Sequence, residues 1–288
     1  MRKISYPRID CHDVYLTCLQ SVANTEQGRG YKIKLTAISP LVKAEWDAYE
    51  DRTGSTDLHL FQFCAHGNKN QRIINDVTKH ELMTLYTEYM VKGRESARNI
   101  YDILRSSSNG LCPLCGIGFV STLDHYLPKA RYPVFSVNPK NLIPACDTCN
   151  KGKGSSTYST KESQPLNPYF SSDIFYTQDW LKARVIKSRP LSFEFYVDPP
   201  DDWSPVDKQR VRNHFTDFNI GEKYSIHASL FLDSINSIIN MIRSSGGTPE
   251  LVSEQFRNSA NNEMNNTLLR AMYFSVSADL EICGGEFL

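Results

Sequence analysis

Cys112-Pro113-Leu114-Cys115, then Leu123-Asp124-His125-Tyr126-Leu127-Pro128-Lys129, then Cys146-Asp147-Thr148-Cys149-Asn150: these three pieces of one stretch decide how the chain is read. Two residues between paired cysteines let a tight turn aim both thiolates at one metal, and zinc favours four such ligands in a tetrahedron. Two pairs at matching spacing therefore predict a four-cysteine zinc site. A redox pair or scattered core cysteines would not explain why the spacing repeats. Four protein ligands leave the metal no open coordination position, so the expected role of this zinc is structural. The 30 residues between Cys115 and Cys146 exceed the roughly 15–20 of a plain zinc ribbon, so something more fills the gap.

Residues 119–127 are rich in β-branched and aromatic side chains and run into Pro128, which predicts one short strand leading into a turn. Asp124 and His125 are neighbours on it. Successive strand residues point to opposite faces, so these two can serve a single phosphate only if the backbone bends near His125.

With Asn141-Leu142-Ile143-Pro144-Ala145 leading into the second cysteine pair, and Lys151-Gly152-Lys153-Gly154 following it, the stretch 111–154 resembles the HNH endonuclease family. That family has a C-x-x-C pair, an Asp-His-x-x-Pro strand, an Asn-Leu-x-x-x-C-x-x-C run and a His or Asn directly after the last cysteine. The resemblance implies an α+β protein in which a zinc-stapled ββα-metal core is embedded between helical N- and C-terminal segments. It also implies roles. His125 is the general base for the attacking water, suited by the pKa of a neutral imidazole. Asp124 and Asn150 ligate one catalytic divalent ion, Mg²⁺ or Mn²⁺, through hard oxygen donors. Asn141 orients His125 by hydrogen bonding. The implied reaction is metal-dependent hydrolysis of phosphodiester bonds in nucleic acid, DNA first. A looser similarity of the remaining chain to HNH effectors of bacterial antiphage systems, retron and Septu types among them, implies a partner ATPase. The chain has no ATP-binding loop of its own.

Lys129, Arg131, Lys151 and Lys153 flank the motif and are candidate phosphate contacts, as are Arg98 and Arg105 upstream; each is also what a solvated surface carries. The chain departs from the family pattern at Ala130-Arg131-Tyr132-Pro133, where many relatives carry a Gly pair. Net charge is zero overall, yet residues 92–161 hold ten basic and four acidic side chains, +6 against −6 elsewhere. That split puts the positive field around the motif, as a polyanion requires, and a purely structural distribution of charge accounts for it equally well. The alternative from another class is a non-catalytic zinc-ribbon module that binds nucleic acid or a partner protein; it has no need of Asp124, His125 and Asn150. A third reading is an effector that stays silent until a partner releases it.

At 40% hydrophobic and 22% charged residues, the chain can bury a sizeable core. The N-terminus turns polar at once and no apolar run reaches membrane-spanning length, which predicts a soluble, cytoplasmic chain without membrane contact. Three regions are expected: helical 1–107, the nuclease core 108–170 and a mostly helical 171–288 that serves partner docking or regulation or acts as a structural cap over the core. Apolar spacing predicts helices over 10–24, 37–52 with Ser39 as cap, one long helix over 77–107, then 206–218, 222–243 and 249–280. Arg94, Arg98 and Arg105 would form a basic edge on the long helix. Residues 191–197 alternate as a strand ended by Pro199-Pro200.

Overall fold

The computed structural model describes residues 1–93 and 96–287. The chain divides into two compact units, 2–171 and 172–288, with Met1 counted with the second. The helical N-terminal region and the cysteine-bearing stretch thus lie in the same unit. The class is α+β: mostly helix with small two-stranded antiparallel sheets.

The first unit opens with α1 (Cys11–Gln20), α2 (Glu26–Ala37) and α3 (Ser39–Ser55). Asp10 caps α1 and Thr25 caps α2, each side chain accepting a backbone N–H of the first turn. Apolar spacing does not reveal α2, because two glycines and a run of charged residues blur its stripe. In α3 the helix begins at Ser39 with Ile38 as the flanking residue, so Ser39 is helical and is not the cap.

The single helix expected over 77–107 is instead several elements. Strands β1 (Arg72–Ile74) and β2 (Val77–Thr78) pair, and Thr78 then starts α4 (Lys79–Thr84) with a capping box completed by Glu81. A wider π-type turn covers Leu85–Val91, and the helix resumes as α5 (Ser96–Ser106). A side chain at Gly93 would sit 1.9 Å from the Tyr89 carbonyl oxygen. The backbone closes too tightly there for a regular helix to run on. Arg94, counted on the basic edge, lies outside the described residues.

β3 (Thr122–His125) pairs antiparallel with β4 (Leu142–Ala145), His125 opposite Leu142 and Asp124 opposite Ile143, and α6 (Asp147–Lys153) follows directly. This is a ββα unit whose two strands are joined by a long connection containing short 3₁₀ turns at Pro133–Phe135 and Pro139–Asn141. Tyr15, Leu35, Ile38, Tyr49, Tyr132 and Phe135 form the buried centre around it. Phe135 stands with Tyr49 and Phe61 at ring separations of 5.1 and 4.8 Å, and the Trp46 indole donates to the Val134 carbonyl.

The second unit contains α7 (Ile174–Thr177), a hairpin of β5 (Leu181–Ile186) and β6 (Ser192–Val197), then α8 (Pro205–Asp217), α9 (Ile220–Ala228), α10 (Leu232–Ser244), α11 (Pro249–Asn262), α12 (Leu268–Ser277) and α13 (Leu280–Gly284). Phe193 and Phe195 of β6 point inward while Ser192, Glu194 and Tyr196 face out. The helices expected over 222–243 and 249–280 are each interrupted. Ser229–Phe231 tightens to a 3₁₀ turn between α9 and α10. Between α11 and α12, Asn266 adopts a left-handed φ of 58°, accepts from the Trp180 and Leu181 N–H groups and donates to the Phe175 and Gln178 carbonyls. An asparagine so fully bonded stops a helix more firmly than its propensity alone. Among the described residues no helix is long and apolar enough to cross a membrane.

Candidate metal centre and histidine site

The cysteine cluster is built by two turns. Gly116 takes a left-handed φ of 76°, its N–H bonds the Cys112 carbonyl, and the Cys112 N–H returns to the Gly118 carbonyl. A knuckle results that brings Cys112 and Cys115 together. The second pair straddles the start of α6, Cys146 before its first turn and Cys149 within it. All four sulfurs lie within 4.8 Å of one another and all four residues are buried, so the cluster can hold a metal ion such as zinc. Among the described residues no other group of three or more His, Cys, Asp and Glu converges in this way, His59, Cys64 and His66 included. Hydrogen bonds from the neighbouring thiols push Cys146 far below its ordinary pKa, and Thr148 lies 3.3 Å from its sulfur. Gly118 closes the knuckle: a Cβ there would stand 2.7 Å from the Cys146 sulfur.

The last residues of β3 carry the second centre. His125 is 6% exposed and its Nε2 lies 2.9 Å from the Ser136 carbonyl. A carbonyl only accepts, so Nε2 carries the proton and Nδ1 keeps its lone pair. The Tyr86 ring meets the imidazole edge-on at 4.4 Å. Burial, aided by the positive charge of Lys129, holds the His125 pKa well below the usual histidine range.

Asp124 is 5% exposed, and burial raises its pKa against the pull of Lys153. Lys153, on the last turn of α6, donates to Asp124 Oδ2 at 2.9 Å and to the His125 carbonyl. Its side chain is 2% exposed. A lysine expected on the nucleic-acid surface is therefore an interior ion pair.

Asn141 spends its amide on the connection between the strands. Its Oδ1 accepts from the Leu127 N–H at 2.7 Å and from the Tyr49 hydroxyl at 3.2 Å, while Nδ2 donates to the Leu127 and Phe135 carbonyls. These bonds reach backbone at Leu127 and at Phe135, the residue before His125's partner Ser136, and do not involve the imidazole. Asn150, half-buried on α6, has no hydrogen-bond partner for its carboxamide among the described residues.

The other basic candidates fall into distinct settings. The Lys129 ammonium lies 5.0 Å from the centre of the Tyr86 ring, and burial lowers its pKa. Arg131 stacks its guanidinium on Phe63 at 4.6 Å. Lys151 is exposed and pairs with Asp147. Arg98 grips Asp102 through Nε and Nη2 and donates Nη1 to the Val91 carbonyl, and Arg105 leans on the same Asp102. The described part of the upstream basic edge, Arg98 and Arg105, is thus engaged with Asp102 and the Val91 carbonyl. Sequence reading gives no sign of the Tyr86 contact or the Ser136 carbonyl, since neither residue type is distinctive and their contacts with His125 are tertiary.

Fold and cluster define an α+β protein with a four-cysteine metal-binding site. No family model and no solved structure matches it. Among known proteins, ea31 of Escherichia phage lambda is 36% identical over 182 residues, 61% of this chain and 62% of ea31. Septu protein PtuB of Bacillus thuringiensis is 31% identical over 108 residues, 35% of this chain and 39% of PtuB. The chain spans less than two thirds of the length of either relative.

Proposed function

We propose that the protein is an HNH-type endonuclease that hydrolyses phosphodiester bonds, DNA first, and works in antiphage defence with a partner ATPase. The observation that carries this reading is the tautomer of His125: a buried, neutral imidazole whose Nε2–H is committed to a carbonyl and whose Nδ1 is left as a base. A purely binding ribbon has no use for that arrangement. The similarity to Septu protein PtuB supports the defence setting.

Zinc in the Cys112, Cys115, Cys146 and Cys149 cluster would have a structural role, tying the start of α6 to the knuckle. Asp124 and Asn150 offer oxygen donors and no sulfur, a set that fits a hard cation such as Mg²⁺ or Mn²⁺. Such an ion, when bound, supplies charge neutralisation at the scissile phosphate.

His125 Nδ1 takes the proton from the attacking water, and the Ser136 carbonyl then steadies the imidazolium through Nε2–H. The low basicity imposed by burial keeps the ring neutral at pH 7. Lys129, which has no hydrogen-bond partner among the described residues, would meet a non-bridging phosphate oxygen. Incubating the purified chain with plasmid and single-stranded DNA in Mg²⁺, Mn²⁺ or EDTA tests the reading. Cutting with the metals and none with EDTA is expected; cutting that EDTA leaves intact would contradict it.

A further inference from the structure

Asp124 has a feature that the proposed chemistry does not call for. Its Oδ2 is already held by a cation of the chain itself, the Lys153 ammonium, at 2.9 Å, and that ammonium also bonds the adjacent His125 carbonyl. Neither partner has water to turn to, with side chains 2% and 7% exposed. The backbone of the lysine is held in place. It lies four residues after Cys149 on the same face of α6, and the cysteine cluster ties the start of that helix to the knuckle. The Tyr126 ring lies 5.5 Å from its Nζ. Lys129 adds a second positive charge felt by Asp124. The candidate ligand set holds a single carboxylate, and that carboxylate is neutralised in advance.

Electrostatics then constrains the order of binding. A divalent ion approaching Asp124 meets an ammonium on the same carboxylate, and like charges a few ångströms apart in a dry site repel strongly. The lysine can yield only if another anion receives it. A phosphodiester, the substrate of the proposed reaction, can supply that anion through its non-bridging oxygens.

We propose that Lys153 is a counterion gate on Asp124: it occupies the carboxylate until a nucleic-acid phosphate takes over the ammonium, so that the divalent ion and the nucleic acid bind as a coupled pair. This rests on the nuclease reading and adds a step to it. By linkage, DNA must raise metal affinity by the same factor as metal raises DNA affinity. The device would keep the chain from holding its catalytic ion while no substrate is present.

The test is Mn²⁺ titration of the full-length, zinc-loaded protein, followed by electron paramagnetic resonance of free Mn²⁺, with and without a short phosphorothioate DNA duplex. Wild type should bind Mn²⁺ about tenfold or more tightly with the duplex than without, within the usual range of coupling factors. Lys153→Met should bind Mn²⁺ about tenfold more tightly than wild type in the absence of DNA and lose the coupling, while Lys153→Arg keeps weak DNA-free binding. Equal Mn²⁺ affinity in wild type and Lys153→Met without DNA would overturn the gate. Should Lys153→Met lose zinc or fail to fold, the wild-type comparison decides alone: DNA-independent Mn²⁺ affinity rejects the proposal. Normal metal-dependent cleavage alongside uncoupled Mn²⁺ binding would remove the gate and keep the nuclease; no Mn²⁺ binding and no cleavage would remove both.

Discussion

His125 and Asn141 do different work within one short connection. The histidine is held by a single carbonyl, that of Ser136, whereas the asparagine makes four bonds that fix the chain carrying that carbonyl. Replacing Asn141 by Ala would leave the Leu127 N–H buried without its acceptor, at about 1–3 kcal/mol, and would remove the bonds to the Leu127 and Phe135 carbonyls as well. We expect Asn141→Ala to lower stability by about 2–4 kcal/mol in denaturant titration and to cut activity with it; an unchanged midpoint would contradict this. The depressed pKa of His125 has a second consequence. A histidine that resists protonation in the folded chain but protonates normally when unfolded contributes stability that is intact above about pH 6.5. It is lost as pH falls from there towards the folded value. Melting temperatures taken from pH 7.5 down to 5 should therefore fall more steeply for wild type than for His125→Ala. Parallel curves would mean the imidazole is not buried neutral.

At the scale of elements, the ββα unit depends on its cysteine staple. Cys146→Ser removes one of four ligands from a cluster that ties the knuckle to α6. Zinc content should drop, and stability should fall by about 4–5 kcal/mol, which is a fall of roughly 10–20 °C in melting temperature for a unit of this size. Gly118→Ala is a subtler probe: its methyl would meet the Cys146 sulfur at 2.7 Å, and zinc affinity should weaken about 10–100-fold in a chelator competition. The cysteine cluster is legible in the sequence because ligand spacing is written locally, and so is the β3 strand, though it is shorter than the 119–127 expected. Lys153 is legible as a charge but not as a buried one, since burial depends on how α6 lies across β3. The long helix over 77–107 fails for another reason. Apolar spacing runs through Thr78, Leu85 and Gly93 without interruption; the Thr78-x-x-Glu81 capping box that starts α4 is written in the sequence but does not show in that spacing, and the Tyr89–Gly93 closure is a backbone event. The same holds for Asn266, whose four backbone bonds come from a segment far off in sequence.

For the whole molecule, zero net charge conceals a positive stretch over 92–161 balanced elsewhere. Ion pairing removes part of it: Arg98 and Arg105 share Asp102, Lys151 faces Asp147 and Lys153 faces Asp124. Lys129 and Arg131 form no contact ion pair among the described residues and lie against the Tyr86 and Phe63 rings. If the gate opens, Lys153 joins them, giving about three phosphate contacts and a slope near −3 in log affinity against log salt for a DNA duplex. A slope near zero would show that the positive stretch takes no part in binding. The most direct check on the central claim is plasmid cleavage in Mg²⁺ or Mn²⁺ by wild type and His125→Ala side by side, with zinc content and melting temperature measured on the same samples. The variant is expected to keep its zinc and its folding and to lose cleavage by about 100-fold or more; a correctly folded His125→Ala that cuts at the wild-type rate would contradict the assignment of His125 as the base.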